Sequence, residues 1–192
     1  MVGGTTFILD GIWGRPARLA GVRRAIEDRG GVTEMFPYQS NGTGCLRSAG
    51  ERFAAAVRRH GKPVTVLAFS MGGLVVRAAH AVDPTLPIQR AVFLNTPHQG
   101  SWWCYLSSPL KGLRSLHQMR PGSEFLRRLH AVEWTVPTLV TWCPFDLFVF
   151  PGESARWPSG AVERLCCSMP LHEWPMYSKR VRQRVVAFLN AE

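Results

Sequence analysis

Short apolar runs that alternate with amphipathic runs are the feature of this sequence that most restricts its fold. Strands buried on both faces read as continuous apolar runs, and amphipathic runs between them are typical of the helices that cover a parallel sheet. The pattern therefore predicts a doubly wound α/β fold, a three-layer sandwich of about six mostly parallel strands with helices on both faces. The predicted strands are residues 5–10, 32–36, 64–69, 88–94, 138–143 and 162–168.

The predicted helices fill the intervals between these strands. Helix signals predict a helix over 16–28, one that begins at the capping box Ser48…Glu51 and ends at Gly61, one over 71–82 and one over 177–190. Residues 100–132 form a short insertion, with one or two helices within 109–132. No linker or internal repeat divides the chain, so 1–192 is expected to be a single domain without a cap domain.

Length and composition limit the possible classes of protein. The chain has 192 residues, 46% of them hydrophobic, which is enough for a sizeable core and argues against disorder. The net charge is +10, carried by 20 Arg and three Lys that are scattered through amphipathic segments. Without a basic tract, nucleic acid is not the expected partner, and weak contact with an anionic membrane surface is the expectation for this charge. The composition says nothing about oligomeric state.

The cysteines and the first residues of the chain favour a reducing compartment. Five cysteines form no CxxC pair and no Cys/His metal spacing, so no metal site and no cofactor are expected. The first ten residues, MVGGTTFILD, lack the charged start and long apolar core of a signal peptide. No apolar stretch approaches the ~20 residues of a membrane span. We therefore expect a soluble, cytoplasmic protein.

A serine lies where the most apolar predicted strand meets its helix, in residues 68–73 (AFSMGG). Small residues two positions either side of Ser70 are typical of the nucleophile elbow, a strained turn in which bulky neighbours would clash. Such a turn places the Met71 backbone N–H at a helix N-terminus, where it can stabilise an oxyanion. The alternative is that Ser70 only caps the following helix.

A nucleophilic serine needs a base, and the base needs an acid to orient it. Asp146 follows the fifth predicted strand and His172 the sixth, which gives the chain order Ser…Asp…His used by this kind of fold. His98 is the rival base, because it follows the fourth strand at the same sheet edge. Asp146 could alternatively only cap a turn.

Together these motifs resemble the α/β-hydrolase superfamily, and most of all its small lidless bacterial lipases and esterases. The AFSMGG turn and residues 94–101 (LNTPHQGS) are similar to stretches of that family, and the resemblance spans residues 7–189. It implies Ser70 as nucleophile, His172 as base and Asp146 as acid. It also implies an oxyanion hole made by the backbone N–H groups of Ile12 and Met71.

One position departs from the family pattern, which has His-Gly where this chain has Asp10-Gly11. A carboxylate ~7 Å from an oxyanion would oppose its charge by roughly 2 kcal/mol at an effective dielectric near 20. We therefore expect Asp10 to be paired, with Arg15 as its partner, in a contact that holds the oxyanion loop. The alternative is that Asp10 faces solvent and only turns the chain.

Aromatic residues in the loops at the same sheet edge predict an apolar substrate pocket. The candidates are Trp13, Trp102, Trp103, Phe145 and Trp174. The sequence thus predicts a serine hydrolase (an esterase or lipase-like enzyme) that cleaves carboxylic esters, either small molecules or lipid-like substrates, through an acyl-enzyme. Thioesterase or acyltransferase chemistry on the same three residues is an alternative, as is an inactive hydrolase fold that only binds.

Overall fold

The computed structural model describes residues 4–106, 112–157 and 163–191, and its centre is one sheet of six parallel strands in the order β2-β1-β3-β4-β5-β6. Residue 162, the first of the last predicted strand, lies outside the described residues. The parallel pairing brings the carboxyl ends of the strands to one edge, with Phe69 beside Leu94 and Leu94 beside Thr141. The strands are β1 Thr5–Leu9, β2 Val32–Met35, β3 Val64–Phe69, β4 Ile88–Leu94, β5 Thr138–Trp142 and β6 Glu163–Cys166.

Seven α-helices lie between and after the strands in the described part of the chain. They are α1 Ala20–Glu27, α2 Leu46–His60, α3 Met71–Val82, α4 Arg114–Gln118, α5 Glu124–His130, α6 Trp174–Tyr177 and α7 Lys179–Leu189. Three short 3-10 helices, Pro16–Leu19, Trp102–Tyr105 and Gly152–Ala155, complete the described elements. The predicted α/β class, with parallel strands and helices on both faces, is confirmed.

Alternate residues of each strand enter two separate cores, one on each face of the sheet. Phe7, Val66 and Phe93 pack with α2, α3 and α5 on one face. Their neighbours, such as Leu67 and Val92, pack with α1, α6 and α7 on the other face. The central strand β3 is buried along its whole length, which explains why its sequence is continuously apolar.

The capping-box prediction is wrong for α2. The helix begins at Leu46, with Cys45 as its N-terminal flanking residue, so Ser48 lies inside the first turn. The Leu46 N–H is instead satisfied by Gln118 of α4 at 2.7 Å, a contact between segments 72 residues apart. A local motif cannot reveal a cap that another part of the fold supplies. The predicted end at Gly61 is confirmed, because Gly61 has a φ of 71° after His60.

The insertion between β4 and β5 carries the 3-10 helix Trp102–Tyr105 together with α4 and α5. Its residues 107–111 lie outside the described part. Residues of two of these elements, the Trp102–Tyr105 3-10 helix and α4, line the same cavity as Ser70 and His172. Within the described residues, no helix combines the length and the apolar character needed to cross a membrane.

Candidate active site

Ser70 occupies a strained turn between β3 and α3. Its φ of 51° and ψ of −124° lie in a region that L-residues rarely adopt. The Ser70 side chain makes no capping hydrogen bond to α3, so the capping alternative does not describe its contacts. Its N–H donates to the Leu94 carbonyl at 2.8 Å, which fixes the turn to the neighbouring strand. The turn thus holds the hydroxyl over the carboxyl edge of the sheet, where only 7% of Ser70 is exposed.

Close backbone approach explains the small residues around Ser70. A Cβ placed on Gly72 would lie 2.6 Å from the Leu9 carbonyl oxygen, and one on Gly73 would lie 2.1 Å from the Thr96 hydroxyl. A Cβ on Gly11 of the β1 exit loop would lie 2.8 Å from the Ser70 Cβ. The glycines therefore let the exit loop and the β4 loop close around the serine.

Three buried side chains from three different strand ends form one hydrogen-bonded chain. The Ser70 Oγ lies 2.8 Å from His172 Nε2, and His172 Nδ1 lies 2.7 Å from Asp146 Oδ2. The other Asp146 oxygen accepts the N–H groups of Phe148 at 2.8 Å and Val149 at 2.9 Å. These bonds fix the carboxylate, and the carboxylate fixes the orientation and tautomer of the imidazole. The structure brings the three predicted residues together.

His98, the rival base, lies elsewhere. It is fully buried, and its ring packs at 4.5 Å against Trp157 and at 5.1 Å against Phe93. Neither ring nitrogen has a hydrogen-bond partner among the described residues. Burial, and then the nearby Arg77 and His130, hold the pKa of His98 well below its usual range. A neutral, enclosed imidazole without contact to Ser70 cannot take its proton.

A cavity of about 210 Å³ opens beside Ser70 and His172. Apart from Ser70, Ser101 and His172, its lining is apolar, and the described part of the insertion supplies one wall. The candidate oxyanion donors Ile12 and Met71 both line it. The full lining is Ile12, Trp13, Ser70, Met71, Pro97, Ser101, Trp103, Cys104, Leu116, Met119, Phe148, Val149 and His172. The cavity is smaller than the 300–1,000 Å³ typical of drug-sized ligands, so it suits a modest apolar chain.

Comparison with solved structures places this architecture among known folds. Over 96% of this chain and 52% of the other, it superposes on Aspergillus fumigatus lipase B with a TM-score of 0.78 and 17% sequence identity. A Paleococcus ferrophilus monoacylglycerol lipase gives a TM-score of 0.76 at 13% identity over 97% and 93% of the two chains. A Bacillus licheniformis lipase gives 0.75 at 13% identity over 95% and 91%.

The chain has the α/β-hydrolase fold. It spans about half the length of the Aspergillus lipase and most of the length of the other two. No protein-family model matches the chain, and no curated protein matches it in sequence. The predicted resemblance to lipases and esterases is confirmed at the level of structure.

The contact that Asp10 makes differs from the predicted one. Its carboxylate accepts the backbone N–H groups of Gly11 and Arg15, each at 2.7 Å, and lies 3.6 Å from the Arg18 guanidinium. The ionic partner is therefore Arg18 and not Arg15, because Arg18 lies one turn into the following 3-10 helix and folds back over Asp10. Burial raises the pKa of Asp10 above its usual value. The contacts with Gly11, Arg15 and Arg18 act in the opposite direction and offset only part of this rise.

Two of the five predicted pocket aromatics line the cavity, namely Trp13 and Trp103. Trp102 turns away, its ring 5.4 Å from that of Tyr105, and 55% of it is exposed. Phe145 points to solvent at 74% exposure, and Trp174 packs against the core on the α1–α7 face of the sheet. These three residues do not line this cavity, because a loop position at the carboxyl edge does not determine which way a side chain turns.

Asn95 is a residue of the site that the sequence reasoning missed. Its side-chain amide donates to Asp146 Oδ2 and to the His172 carbonyl, both at 3.1 Å, and its Oδ1 accepts the Thr141 hydroxyl at 2.8 Å. Asn95 is fully buried with a φ of 46°. A signal was present in the sequence, since an asparagine directly follows a fully apolar strand end and asparagine tolerates positive φ.

The three non-glycine residues with positive φ in the described chain are Trp13, Ser70 and Asn95, and all lie at the carboxyl edge of the sheet. Strained backbone of this kind concentrates at functional sites. Within the described residues, no group of three or more His, Cys, Asp or Glu side chains is arranged to hold a metal ion.

Proposed function

We propose that this protein is a serine hydrolase that cleaves carboxylic esters through an acyl-enzyme. The observation that carries the proposal is the buried chain Ser70–His172–Asp146, with bonds of 2.8 and 2.7 Å, at the mouth of an apolar cavity. A serine hydroxyl at its free pKa is a poor nucleophile, and a neutral imidazole oriented by a carboxylate is the arrangement that activates it.

Each residue has a defined step in this proposal. As Ser70 Oγ bonds to the ester carbonyl carbon, His172 Nε2 takes the hydroxyl proton, and Asp146 stabilises the imidazolium. The backbone N–H groups of Ile12 and Met71 bind the oxyanion. The C–O bond to the alcohol then breaks as His172 returns the proton to the leaving oxygen. Water repeats the sequence on the acyl-enzyme, which releases the carboxylic acid and restores Ser70.

The β1 exit loop supports this role for Ile12. Asp10 holds both ends of the loop through the Gly11 and Arg15 N–H groups, and Arg18 donates to the Trp13 carbonyl at 3.0 Å. Preorganised donors need no rearrangement during the reaction, so a loop fixed at several points favours oxyanion binding. Partial neutralisation of Asp10 by Arg18 reduces the repulsion that an isolated carboxylate would impose.

We further propose apolar or lipid-like esters as the substrates. Large apolar side chains are exposed in the loops that follow the strands at the carboxyl edge of the sheet, and three of them, Trp13, Trp103 and Phe148, also line the apolar cavity. The others in these loops are Trp102, Tyr105, Leu106, Phe145, Leu147, Phe150, Met169 and Leu171. Because the net charge is +10, the same proposal includes weak contact with anionic lipid surfaces. Salt screens such a contact, so activity on anionic micelles should fall with added salt.

A chain-length series of p-nitrophenyl esters tests the proposed function. The native protein should hydrolyse short and medium acyl esters, whereas Ser70→Ala and His172→Ala should each lose at least about a thousandfold in kcat. His98→Phe, which keeps an aromatic ring among its aromatic neighbours, is the matched control and should retain most activity. Absence of Ser70-dependent turnover would favour an inactive binding module, and loss of turnover only in the His98 variant would overturn the assignment of the base.

A further inference from the structure

A second cavity, of about 170 Å³, shares Ser70 and His172 with the apolar cavity. The two cavities also share the apolar residues Ile12, Trp13 and Phe148. The second cavity alone is lined by Phe69 and by three charged residues, Arg15, Arg18 and Glu173. The two cavities thus meet at the reactive serine and differ in chemistry. An ester bound at Ser70 has two substituents, and each cavity can take one of them.

Of the four charged groups near the second cavity, Arg18 contacts two, Asp10 and Glu173. The Arg18 guanidinium lies 3.3 Å from Glu173 and 3.6 Å from Asp10, and only 9% of its side chain is exposed. The positive charge of Arg18 is therefore already compensated by two carboxylates. Asp10 is in turn occupied by two backbone N–H groups.

Arg15 is the remaining charge. Its backbone N–H is held by Asp10, which fixes the residue at the cavity wall. Its guanidinium is exposed and makes no hydrogen bond or ion pair with any other part of the chain that the structure describes. An anion that contacts Arg15 would displace only water, because no side-chain partner in that part has to be released. An apolar group would gain nothing from this contact.

The chemistry of the two linings, together with the position of Met71, indicates which substituent enters which cavity. Ile12 lines both cavities, whereas Met71 lines the apolar cavity and is not part of the second one. The Met71 N–H is a proposed donor to the oxyanion, and the oxyanion belongs to the acyl half of the ester. We therefore assign the acyl chain to the apolar cavity, where an ion would be costly to bury, and the alcohol to the second cavity.

We propose that the second cavity selects esters whose alcohol carries an anionic group, a carboxylate or a phosphate, and that Arg15 contacts this group. The inference rests on the proposed ester hydrolysis and deepens it by naming the class of alcohol. Arginine suits both anions because its planar guanidinium can donate two parallel hydrogen bonds to either of them. Since Arg15 is exposed, the contact should be worth about three- to fivefold in kcat/KM.

Matched pairs of esters test the proposal. The carboxylate pair is the hexanoyl ester of 4-hydroxybenzoate and that of neutral 4-hydroxybenzamide; the phosphate pair is 1-hexanoylglycerol 3-phosphate and 1-hexanoylglycerol. The quantity measured is the ratio of kcat/KM for the anionic ester to that for its neutral partner. Arg15→Ala should lower this ratio about three- to fivefold, and Arg15→Glu should lower it further. Added salt should move the native ratio towards that of Arg15→Ala.

A charge-matched control separates Arg15 from the general positive field. Arg29 is exposed just after α1, near the opposite edge of the sheet, so Arg29→Ala should leave the ratio as in the native protein. The response of one pair alone would identify the anion as carboxylate or phosphate. The inference would be overturned if the anionic-to-neutral ratio of kcat/KM in Arg15→Ala stayed within twofold of the native ratio for both pairs. It would also be overturned if Arg29→Ala lowered this ratio as much as Arg15→Ala does. If the native protein cleaves none of the four esters, it is the proposed function that fails.

Discussion

Removal of the Asn95 amide should lower turnover without weakening substrate binding. The most informative variant is Asn95→Gly, because glycine adopts the positive φ of this position without strain, whereas alanine would add a backbone penalty. The variant removes three side-chain hydrogen bonds, to Asp146, to the His172 carbonyl and from Thr141. Buried groups left without partners cost about 1–3 kcal/mol each, so we expect the free energy of unfolding to fall by about 2–4 kcal/mol.

The effect on catalysis follows from geometry. Asn95 joins the acid to the main chain of the base, so its loss allows the carboxylate and the imidazole to move relative to Ser70. Misplacement of a reacting group by about 1 Å can cost about a hundredfold in rate. We expect kcat to fall ten- to a hundredfold with KM within about twofold, because Asn95 lines neither cavity.

Thr65→Val is the matched control for lost stability. It breaks the buried hydroxyl–hydroxyl bond between Thr6 and Thr65, of 2.8 Å, in the sheet. It should lower the free energy of unfolding by about 1–2 kcal/mol and leave kcat unchanged. Stability comes from denaturant unfolding, and kcat and KM come from ester hydrolysis at saturating and low substrate. An Asn95→Gly enzyme with native kcat, or a Thr65→Val enzyme with an equal loss of kcat, would refute the reasoning.

Three more predictions concern the cavity, the β1 exit loop and the buried His98. Trp103→Ala should shift the preferred p-nitrophenyl ester towards longer acyl chains, because Trp103 lines the apolar cavity. Its neighbour Trp102 does not line the cavity, so Trp102→Ala should leave the chain-length profile unchanged. Equal profiles for both variants would contradict the cavity assignment. Asp10→Asn should lower the melting temperature and should lower kcat about tenfold, because an amide cannot accept both loop N–H groups and also pair with Arg18. An unchanged melting temperature and unchanged kinetics would refute a role for this carboxylate. Burial holds the pKa of His98 well below its usual value, so His98 is neutral in the folded protein, whereas in the unfolded chain it binds a proton near pH 6.5. The free energy of unfolding should therefore fall as the pH drops below about 6.5, by up to about 1.4 kcal/mol per pH unit. His98→Phe should reduce this slope in urea titrations at several pH values.

Most of the fold could be predicted because its signals are local. Residues 64–69 form a strand buried on both faces, and the predicted limits of β3, α3 and β4 match the structure at every residue. The order of the strand ends along the chain was also enough to suggest which serine, aspartate and histidine approach one another. Parallel topology makes this possible, because it gathers the carboxyl ends of all strands at one edge.

Features that depend on contacts between distant segments could not be predicted in this way. The cap of α2 comes from Gln118, and the ionic partner of Asp10 is Arg18, which the 3-10 helix Pro16–Leu19 brings close to it. Side-chain direction in the loops is a further example, since Trp102 and Trp103 are adjacent in sequence and only Trp103 lines the cavity. Such contacts follow from tertiary packing and leave no periodic trace in the sequence.

Reaction with a fluorophosphonate probe, followed by peptide mapping, tests the central claim most directly. The probe phosphonylates a serine only when a neighbouring base activates it and an oxyanion site stabilises the product. We predict stoichiometric labelling of the native protein at Ser70, no labelling of Ser70→Ala, and greatly slowed labelling of His172→Ala. A folded native protein that stays unlabelled, or equal labelling of Ser70→Ala, would contradict the claim that Ser70 is an activated nucleophile.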